Sequence, residues 1–423
     1  MKLNPFVSIY KSNGQLCYYN TITMDTAYFD EGDYKILERL KANINYFVDE
    51  SFSEKEYYNS VINRIENDTT INCITLLLTN DCNFECKYCY IESLMNKVSK
   101  QYMSISLIDR IANFIIRNNI RNGMIVFYGG EPFLNFSFIE KIIPVLQIIS
   151  KDFLFSVITN GSLLTEDNIS FCKNNNINIC VSLDGMEKEN DKNRIYKNGK
   201  GTFKNVVKNL EMCNKLGARF GLSITLGADT LSSDFLDFIQ RIGTKSVGIN
   251  TLNVNGNIDL PSKVRTDLFK NSIAFIQHMR TMGIMESKYH KLRGFSLFKK
   301  KFLLRNCSAY GKQVVITPEG NIGPCQGLWP QFNNKENNLF FQLDLNSNLE
   351  DFYRTYSDWY SRLPINMIKC WKCPAIAICG GGCARNSILK YNDIWSPDEN
   401  FCEEMRLFLE WCIWDNYYVQ KRQ

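Results

Sequence analysis

A short apolar run followed by three closely spaced cysteines indicates the fold of this chain: Ile74-Thr75-Leu76-Leu77-Leu78-Thr79-Asn80-Asp81-Cys82-Asn83-Phe84-Glu85-Cys86-Lys87-Tyr88-Cys89. The apolar run is typical of a buried β-strand, and the cysteines follow where that strand ends. Three thiolates can bind three irons of a cubane cluster and leave the fourth iron open, whereas four thiolates would close the site. The stretch therefore predicts a strand that leads into an iron–sulfur site with chemistry at an open iron.

A second group of cysteines lies in the C-terminal third of the chain, which has sixteen cysteines in all. Its members are Cys307, Cys325, Cys370, Cys373, Cys379, Cys383 and Cys402, with Gly320 between the first two. Structural zinc is the alternative for such Cys-x2-Cys pairs. However, the first triplet has no fourth ligand nearby, and the chain has only two histidines. We therefore favour iron–sulfur clusters over zinc for both groups.

The Cys82-x3-Cys86-x2-Cys89 loop, with Tyr88 before its last cysteine, resembles the cluster loop of the radical S-adenosylmethionine (SAM) enzymes. The C-terminal cysteines resemble the SPASM arrangement, in which an added domain carries auxiliary iron–sulfur clusters. This resemblance extends from about Ile71 to Cys402. It implies three [4Fe-4S] clusters, of which one binds SAM and two are auxiliary, with all ten of these cysteines as metal ligands.

The resemblance also implies how the auxiliary ligands are shared between the two clusters. The outer cluster is expected to be bound by Cys370, Cys373, Cys379 and Cys402, and the inner one by Cys307, Cys325 and Cys383. Some relatives supply a fourth inner ligand a few residues after the first cysteine. The stretch 308–313 contains no cysteine. The inner cluster is therefore expected either to have an open iron or to use a distant ligand.

The middle of the chain alternates strand-like apolar runs with amphipathic helical stretches, which indicates βα units around a parallel sheet. The predicted strands are Ile74–Thr79, Met124–Tyr128, Leu154–Thr159, Ile177–Leu183, Arg219–Leu226 and Val247–Val254. The helical stretches between them include Ile105–Asn118, Phe136–Ser150, Thr202–Leu216 and Ser233–Ile242. Six such pairs predict an α/β fold with a partial (βα)6 TIM-like barrel. The motifs lie at carboxyl ends of strands, where barrel enzymes place their active sites.

The first seventy residues have a different character. Phe6–Tyr10 and Leu16–Asn20 flank an Asn-Gly turn and predict a hairpin, and helices are expected at Asp33–Phe47 and Ser53–Glu66. A similar segment precedes many peptide-maturing radical SAM enzymes, where it helps to hold a precursor's leader peptide. A complete leader-binding module has three strands, and this sequence predicts two, so a cap on the barrel is an equal alternative. The expected domains are 1–70 (an α+β segment), 71–290 (the radical SAM core) and 291–423 (the SPASM domain).

Several strand-end motifs are candidates for binding SAM. The residues concerned are Tyr88, Gly129, Gly130, Glu131, Asn160, Ser182 and Arg194. In the family that this chain resembles, the Gly-Gly-Glu-Pro strand edge approaches the methionine amine, which implies that role for Glu131. The family likewise implies that Ser182 contacts SAM, that Arg194 pairs with its carboxylate, and that Tyr88 offers its backbone to the adenine edge. A guanidinium fork suits a bidentate carboxylate. The sequence does not identify a catalytic acid or base.

The resemblance implies a radical SAM/SPASM oxidoreductase that cleaves SAM and removes a hydrogen atom from a ribosomally made precursor peptide. The expected product is an intrapeptide cross-link, with a thioether favoured over a carbon–carbon bond. The alternatives are peptide epimerisation and the formylglycine chemistry of anaerobic sulfatase-maturing enzymes. The latter family is similar in using an acidic base directly after the cysteine that matches Cys325, where this chain has Gln326. A non-catalytic electron carrier would not need the SAM-binding residues.

Composition and charge narrow the class of protein further. Ligand thiolates would offset much of the formal net charge of +5, so the charge does not predict a nucleic-acid partner. No stretch of uninterrupted apolar residues reaches the length of a membrane span, and no secretory signal is evident. Reduced thiolates need a reducing compartment, which predicts a cytoplasmic protein. An electron donor such as flavodoxin or ferredoxin is an expected partner.

Overall fold

The computed structural model describes residues 1–41, 43–89, 91, 99–226, 230–251, 261–287, 297, 299–329 and 341–421. The chain divides into two compact units. The terminal unit comprises Met1–Asp68, Tyr289–Cys307 and Ser361–Gln423, and the central unit comprises Thr69–Lys288 and Ser308–Tyr360. The three-domain division at residues 70 and 290 stays a prediction.

The N-terminal part of the terminal unit is built from short strands and two helices. The strands are β1 (Lys2–Leu3), β2 (Val7–Ser12), β3 (Gln15–Asn20), β4 (Thr26–Asp30) and β5 (Phe47–Val48), and the helices are α1 (Ile36–Leu40) and α2 (Glu54–Ile62). β2, β3 and β4 form an antiparallel sheet, and β1 pairs with β5. The predicted hairpin is confirmed, because Ser12 pairs with Gln15 across the Asn13-Gly14 turn.

Two features of this region differ from the sequence prediction. A third strand, β4, pairs with β3, so the sheet has three strands where the sequence predicted two. The predicted helix over Asp33–Phe47 is wrong beyond its first part, because α1 ends at Leu40. The Asn43 side chain instead accepts a hydrogen bond from the Asn45 amide at 2.9 Å, and Phe47 pairs with Leu3. Asparagine side chains bind nearby backbone and so compete with helix formation.

The central unit contains a ten-stranded, mainly parallel sheet. Its strands are β6 (Cys73–Leu77), β7 (Asn122–Tyr128), β8 (Asp152–Thr159), β9 (Ile177–Ser182), β10 (Phe220–Leu226), β11 (Ser246–Thr251), β12 (Met285–Glu286), β13 (Gln313–Ile316), β14 (Asn321–Gly323) and β15 (Leu343–Asp344). The spatial order is β12-β11-β10-β9-β8-β7-β6-β13-β14-β15. All pairs from β12 to β13 are parallel, whereas β13-β14 and β14-β15 are antiparallel.

Helices connect most of the parallel strands. They are α3 (Ile108–Arg117), α4 (Phe136–Ile149), α5 (Glu166–Asn174), α6 (Glu187–Asn193), α7 (Phe203–Lys215), α8 (Ser233–Arg241) and α9 (Ser262–Thr281). Farther along the chain lie α10 (Leu349–Thr355) and α11 (Ser357–Ser361), and the C-terminal part of the terminal unit adds α12 (Ile376–Cys379), α13 (Ala384–Tyr391) and α14 (Glu399–Gln420). Single turns of 3₁₀ helix occur at Ile105–Leu107, Pro132–Asn135, Gln326–Leu328, Pro364–Asn366 and Ile368–Cys370.

The six predicted strands of the core are all present as β6 to β11, within about two residues of their predicted bounds. The part of the predicted sixth strand beyond Thr251 lies outside the described residues. The mainly parallel sheet confirms the α/β class. Between Cys307 and Cys325, β13 and β14 form an antiparallel hairpin around Gly320. Closure into a (βα)6 barrel and the SPASM domain stay predictions.

The helix α4 explains an apolar stretch that could be mistaken for a membrane span. Pro132–Ile149 is long and apolar enough to cross a membrane by length and composition, a test that core helices also pass. In the structure α4 buries Phe138, Ile139, Ile142 and Ile143. This one-sided burial is typical of a helix that packs on the sheet of a parallel α/β unit.

Two isoleucines on α4 provide a matched test of this packing. Ile142 has none of its surface exposed, whereas Ile148 is 84% exposed. We expect Ile142→Ala to lower the free energy of unfolding by about 2–5 kcal/mol, because it leaves a cavity in the core. Ile148→Ala is expected to change it by no more than about 0.5 kcal/mol. Urea titration of both variants gives the comparison, and equal losses would contradict the assignment of α4 as a core helix.

Candidate functional site

The cysteine loop starts from a well-anchored segment just beyond β6. The Met103 amide donates to the Leu78 carbonyl at 2.8 Å, which places residues 99–103 alongside the start of the loop. The Thr79 hydroxyl donates to the Gln101 carbonyl at 2.6 Å, and the Asn80 side chain donates to the Ser99 carbonyl at 2.9 Å. The backbone that leads into Cys82 is therefore fixed by a neighbouring segment as well as by its own strand.

The two glycines of the Gly129-Gly130-Glu131-Pro132 motif let the end of β7 lie directly against this segment. A Cβ on Gly129 would stand 2.3 Å from the Thr79 carbonyl oxygen, and one on Gly130 would stand 2.0 Å from that of Asp81. The Gly130 amide donates to the Thr79 carbonyl at 2.7 Å. At these glycines the backbone therefore lies closer to the start of the cysteine loop than a side chain would permit.

Glu131 is fully buried and joins the ends of β7 and β8. Its carboxylate accepts hydrogen bonds from the Thr159 hydroxyl at 2.6 Å, the Asn160 amide at 2.7 Å and the Phe133 amide at 3.1 Å. Burial raises the pKa of Glu131 from 4.5 to about 7, although the three hydrogen bonds act in the opposite direction. A buried carboxyl with this pKa changes its charge near neutral pH.

Asn160 connects that carboxylate to the cysteine loop. Its backbone amide binds Glu131, while its side-chain nitrogen donates to the Asn83 side chain at 2.8 Å and lies 3.8 Å from the Cys82 sulfur. The Asn160 oxygen accepts from the Ser162 amide at 2.9 Å. One asparagine therefore bridges the ends of β7 and β8 to the first cysteine. The sequence singled out this strand-end residue but did not predict these partners.

The segment at the end of α6 holds the middle of the cysteine loop. The Glu85 amide donates to the Ile195 carbonyl at 2.8 Å, and the Lys87 amide donates to the Asn193 carbonyl at 3.0 Å. The two bonds lie on either side of Arg194 in one segment and on either side of Cys86 in the other. Arg194 is therefore held in register with the middle cysteine by backbone hydrogen bonds, independently of its side chain.

The Arg194 side chain is buried with two partners. Its Nε donates to the Asp184 carboxylate at 2.8 Å, and its guanidinium carbon lies 5.4 Å from the centre of the Tyr88 ring. The Tyr88 hydroxyl donates to the same Asp184 oxygen. Burial, followed by the charge of Asp184, raises the pKa of Tyr88 although Arg194 acts against it. The structure thus brings together Tyr88 and Arg194, two of the predicted SAM-binding residues. Ser182 ends β9 and is half-buried.

The three thiols at the carboxyl end of β6 fit the ligand set of an open iron–sulfur cluster. Cys82, Cys86 and Cys89 are all partly exposed, and none of the chain's cysteines forms a disulfide. Burial, and then the charge of Glu131, raises the pKa of the Cys82 thiol. Among the described residues, no three His, Cys, Asp or Glu side chains converge as they would around one metal ion. Each thiolate of a cubane binds a different iron, so convergence on one point is not required.

Sequence reasoning missed two carboxylates in this region. Asp184 follows β9 and is the partner of Arg194. Asp81 accepts from Lys100 at 2.8 Å and from Tyr102 at 2.7 Å. Burial alone would raise the pKa of Asp81, but these partners hold it below its ordinary value. The available signal was the placement of each aspartate directly after a buried strand.

The four cysteines predicted to bind the outer auxiliary cluster all lie in the terminal unit. Cys379 ends α12, and Cys402 lies in the first turn of α14. Burial raises the pKa of Cys402, and the thiols of Cys379, Cys373 and Cys370 raise it further. The assignment of these four cysteines to one cluster stays a prediction.

A buried arginine organises the loops around these cysteines. Arg362 has none of its surface exposed and donates to the Gly381 and Ile394 carbonyls, to the Ser387 hydroxyl at 3.0 Å and to the Ser396 carbonyl at 3.1 Å. Gly381 lies between Cys379 and Cys383 in the sequence. Arg362 therefore fixes the turn that separates two of the predicted ligands.

The remaining predicted ligands are divided between the two units. Cys307 and Cys383 belong to the terminal unit, and Cys325 belongs to the central unit. Burial raises the pKa of Cys383, and Cys307 contributes to that rise. The ligand set of the inner cluster stays a prediction. Next to Cys325, the Gln326 side-chain oxygen accepts a hydrogen bond from the Gln313 amide at 2.9 Å.

Glu131 makes the stability of the protein depend on pH in a defined direction. Its pKa is about 7 in the folded protein and 4.5 ordinarily, so the folded state binds the proton more tightly. Its contribution to stability is complete below about pH 4.5 and falls by about 3 kcal/mol as the pH rises to 7. Glu131→Gln should flatten this part of the pH profile of the unfolding free energy. Glu140→Gln, at an exposed position, is the control and should leave the profile unchanged.

Arg362 is expected to be far more important for stability than an exposed arginine. Arg362→Ala leaves several buried oxygens without their donors, and we expect a loss of about 3 kcal/mol or more in unfolding free energy. Arg354 pairs with Asp351 but is 72% exposed, so Arg354→Ala should cost no more than about 0.5 kcal/mol. Thermal and urea unfolding of the two variants measure the difference. Similar losses would contradict the structural role given to Arg362.

Several known proteins resemble this chain in sequence. Residues 76–242 match the model of the Radical SAM superfamily. The chain is 27% identical to the radical SAM cyclopropyl synthase TigE of Paramaledivibacter caminithermalis, over 84% of this chain and 77% of TigE. It is 24% identical to the subtilosin biosynthesis protein AlbA of Bacillus subtilis, over 73% of this chain and 66% of AlbA. It is also 23% identical to a cysteine-type anaerobic sulfatase-maturating enzyme of Clostridium novyi, over 81% of this chain and 95% of that enzyme.

Solved structures show the same fold at lower identity. Native anSMEcpe with bound AdoMet superposes with a TM-score of 0.69 at 18% identity, covering 83% of this chain and all of anSMEcpe. SuiB of Streptococcus suis, bound to S-adenosylmethionine, gives a TM-score of 0.57 at 15% identity, covering 95% of this chain and 99% of SuiB. SuiB has also been solved with its precursor peptide SuiA. The chain therefore contains a Radical SAM domain, and it is an enzyme whose relatives modify peptides or proteins.

Proposed function

We propose that this enzyme modifies a ribosomally made precursor peptide by removing a hydrogen atom from one of its residues and closing an intrapeptide cross-link. The proposal depends on one observation. Beyond the carboxyl ends of neighbouring parallel strands, the structure brings together Cys82, Glu131, Asn160 and Arg194. A sulfonium substrate with an amine and a carboxylate needs a carboxyl group, a guanidinium and an open iron close together.

The proposed roles of the site residues follow from this arrangement. Cys82, Cys86 and Cys89 would hold the cluster that binds SAM. The reduced cluster would supply one electron to SAM, and the 5′-deoxyadenosyl radical so formed would take the hydrogen atom. Glu131 would face the methionine amine when ionised, Arg194 the carboxylate, and Ser182 and the Tyr88 backbone the nucleoside. The buried hydrogen bonds of Glu131 and Asn160 would keep these groups in place before SAM arrives.

The names of the relatives support a peptide as the substrate. AlbA is named for subtilosin biosynthesis, and SuiB has been solved with its precursor peptide. The three-stranded N-terminal sheet supports a leader-binding role for residues 1–70, because the missing third strand was the objection to that role. Among the described strands β2 pairs only with β3, and a peptide strand can add to such an edge. A cap remains the alternative role for this segment.

The residue after Cys325 argues against formylglycine formation. Gln326 has an amide where the sulfatase-maturing family has an acidic base, and an amide is not a proton acceptor at neutral pH. The Gln313 nitrogen that binds Gln326 also donates to the Pro324 carbonyl at 3.0 Å. Because a carbonyl only accepts, this contact fixes which end of the Gln313 amide is the donor. Gln326 is thus held with its oxygen already in use.

A thioether is the cross-link that we favour, with a carbon–carbon bond as the alternative. Two auxiliary clusters would be held by the seven C-terminal cysteines, and the inner one has three assigned thiolates. An open iron there would bind a substrate cysteine and lower its thiol pKa. Closing the link would release a second electron and a proton, which an auxiliary cluster and solvent would accept. An electron donor such as flavodoxin or ferredoxin in the cytoplasm would supply the electron that cleaves SAM. TigE is named a cyclopropyl synthase, and this name supports the carbon–carbon bond as the alternative.

The test uses anaerobically reconstituted protein with a precursor peptide, ideally one encoded next to the enzyme. We expect SAM-dependent release of 5′-deoxyadenosine and a loss of two hydrogens per link in the peptide mass. A thioether also makes the peptide cysteine resistant to alkylation, which a carbon–carbon link does not. Formylglycine or an unchanged mass with an inverted residue would instead support the two alternative activities.

A cysteine variant checks the cluster assignment in the same preparation. Changing Cys82, Cys86 and Cys89 together to Ala should remove about a third of the iron and all cleavage of SAM. Changing Cys172 and Cys213 to Ala is the control, because both are buried helix residues outside the proposed ligand sets and should leave the iron content unchanged. Iron for only one cluster in the unmodified protein, or tightly bound zinc, would contradict the proposal of auxiliary clusters.

A further inference from the structure

The Asp184 carboxylate lies behind Arg194 and has partners on both of its oxygens. Asp184 is 2% exposed and Arg194 is 8% exposed. One Asp184 oxygen accepts the Thr225 amide at 2.8 Å, which ties it to β10. The other accepts Arg194 Nε at 2.8 Å and the Tyr88 hydroxyl. The carboxylate is therefore fixed by the backbone, and it in turn fixes the guanidinium.

The geometry of this pair determines which part of the guanidinium faces away from Asp184. Asp184 takes the Nε position, and the Tyr88 ring covers one face of the group with its centre 5.4 Å from the guanidinium carbon. The two Nη groups form the opposite edge. A guanidinium can bind a carboxylate through this edge with two parallel hydrogen bonds.

Stability alone gives a weak reason for a buried ion pair at this place. The cost of removing two charges from water often equals or exceeds the energy that the pair recovers. The backbone of Arg194 is already held by the Asn190 carbonyl at 2.8 Å and by the Thr202 hydroxyl at 2.9 Å. The ion pair therefore adds orientation of the side chain to a segment that is otherwise fixed.

We propose that Asp184 is a positioning residue, which holds Arg194 so that its Nη edge binds the carboxylate of an α-amino-acid ligand. This inference rests on the proposed function, in which that ligand is SAM. Arg194 lies between Asn193 and Ile195, whose carbonyls bind the cysteine loop on either side of Cys86. The fork is thus oriented relative to the cluster loop and to β9 at once, and Asp184 acts on SAM only through Arg194.

The test measures the SAM dissociation constant of the reconstituted holoenzyme by anaerobic calorimetry. Asp184→Asn places an amide opposite Arg194 Nε and removes the charged hydrogen bond. We expect SAM to bind about ten- to a hundredfold more weakly. Asp191→Asn is the matched control in the same segment, because Asp191 accepts the Thr202 and Phe203 amides and does not touch the guanidinium. A loss in this control as large as that in Asp184→Asn would overturn the proposal.

A double-mutant cycle separates positioning from general disturbance of the site. If Asp184 acts through Arg194, adding Asp184→Asn to Arg194→Gln should weaken SAM binding little beyond the loss in Arg194→Gln alone. Losses that multiply would mean that Asp184 acts independently of Arg194, which overturns the inference. Equal or tighter SAM binding by Asp184→Asn would overturn it as well.

A second variant keeps the test decisive if Asp184→Asn fails to fold or to take up iron. Arg194→Lys retains a positive charge beside Asp184 but lacks the planar fork, so it should also bind SAM at least about tenfold more weakly. Wild-type affinity in Arg194→Lys would contradict the oriented fork. A failure of the proposed function gives a different result from a failure of this inference. In that case the unmodified holoenzyme itself would not bind SAM.

Discussion

The buried carboxyl of Glu131 is the interaction on which the geometry of the site depends. A carboxyl with no exposed surface is costly unless hydrogen bonds compensate it, and here the Thr159 hydroxyl and the Asn160 and Phe133 amides do so. Because these donors come from the ends of two neighbouring strands, the carboxyl fixes one strand end against the other. Asn160 then extends the same network to Asn83 and Cys82.

The cysteine loop is consequently held from two sides by different kinds of contact. Side-chain hydrogen bonds from Asn160 hold its beginning, and backbone bonds to Asn193 and Ile195 hold its middle. A loop fixed in this way can present its thiols without a regular helix or strand of its own. The glycines at 129 and 130 permit the close packing of β7 against residues 79–81, which a side chain would prevent.

The sequence predicted the parts of this protein that depend on periodicity and on spacing. The strands from β6 to β11 were predicted because continuous apolar runs between helical stretches identify buried parallel strands. The Asn-Gly turn predicted the β2-β3 hairpin, but β4, a strand of five residues, was missed. The partnership of Asp184 with Arg194 could not be predicted, because it joins residues ten apart through side chains that only the folded turn brings together. The same holds for Glu131 and Thr159, whose separation in sequence carries no periodic signal.

The proposed chemistry requires that the loop of Cys82, Cys86 and Cys89 hold an iron cluster whose open iron chelates SAM. Electron–nuclear double resonance on the reduced protein tests it most directly, with SAM carrying 15N in its amine and 17O in its carboxylate. The account predicts nuclear couplings from both labels, which disappear in the triple alanine variant. Absence of both couplings in protein that contains the reduced cluster and bound SAM would contradict the account.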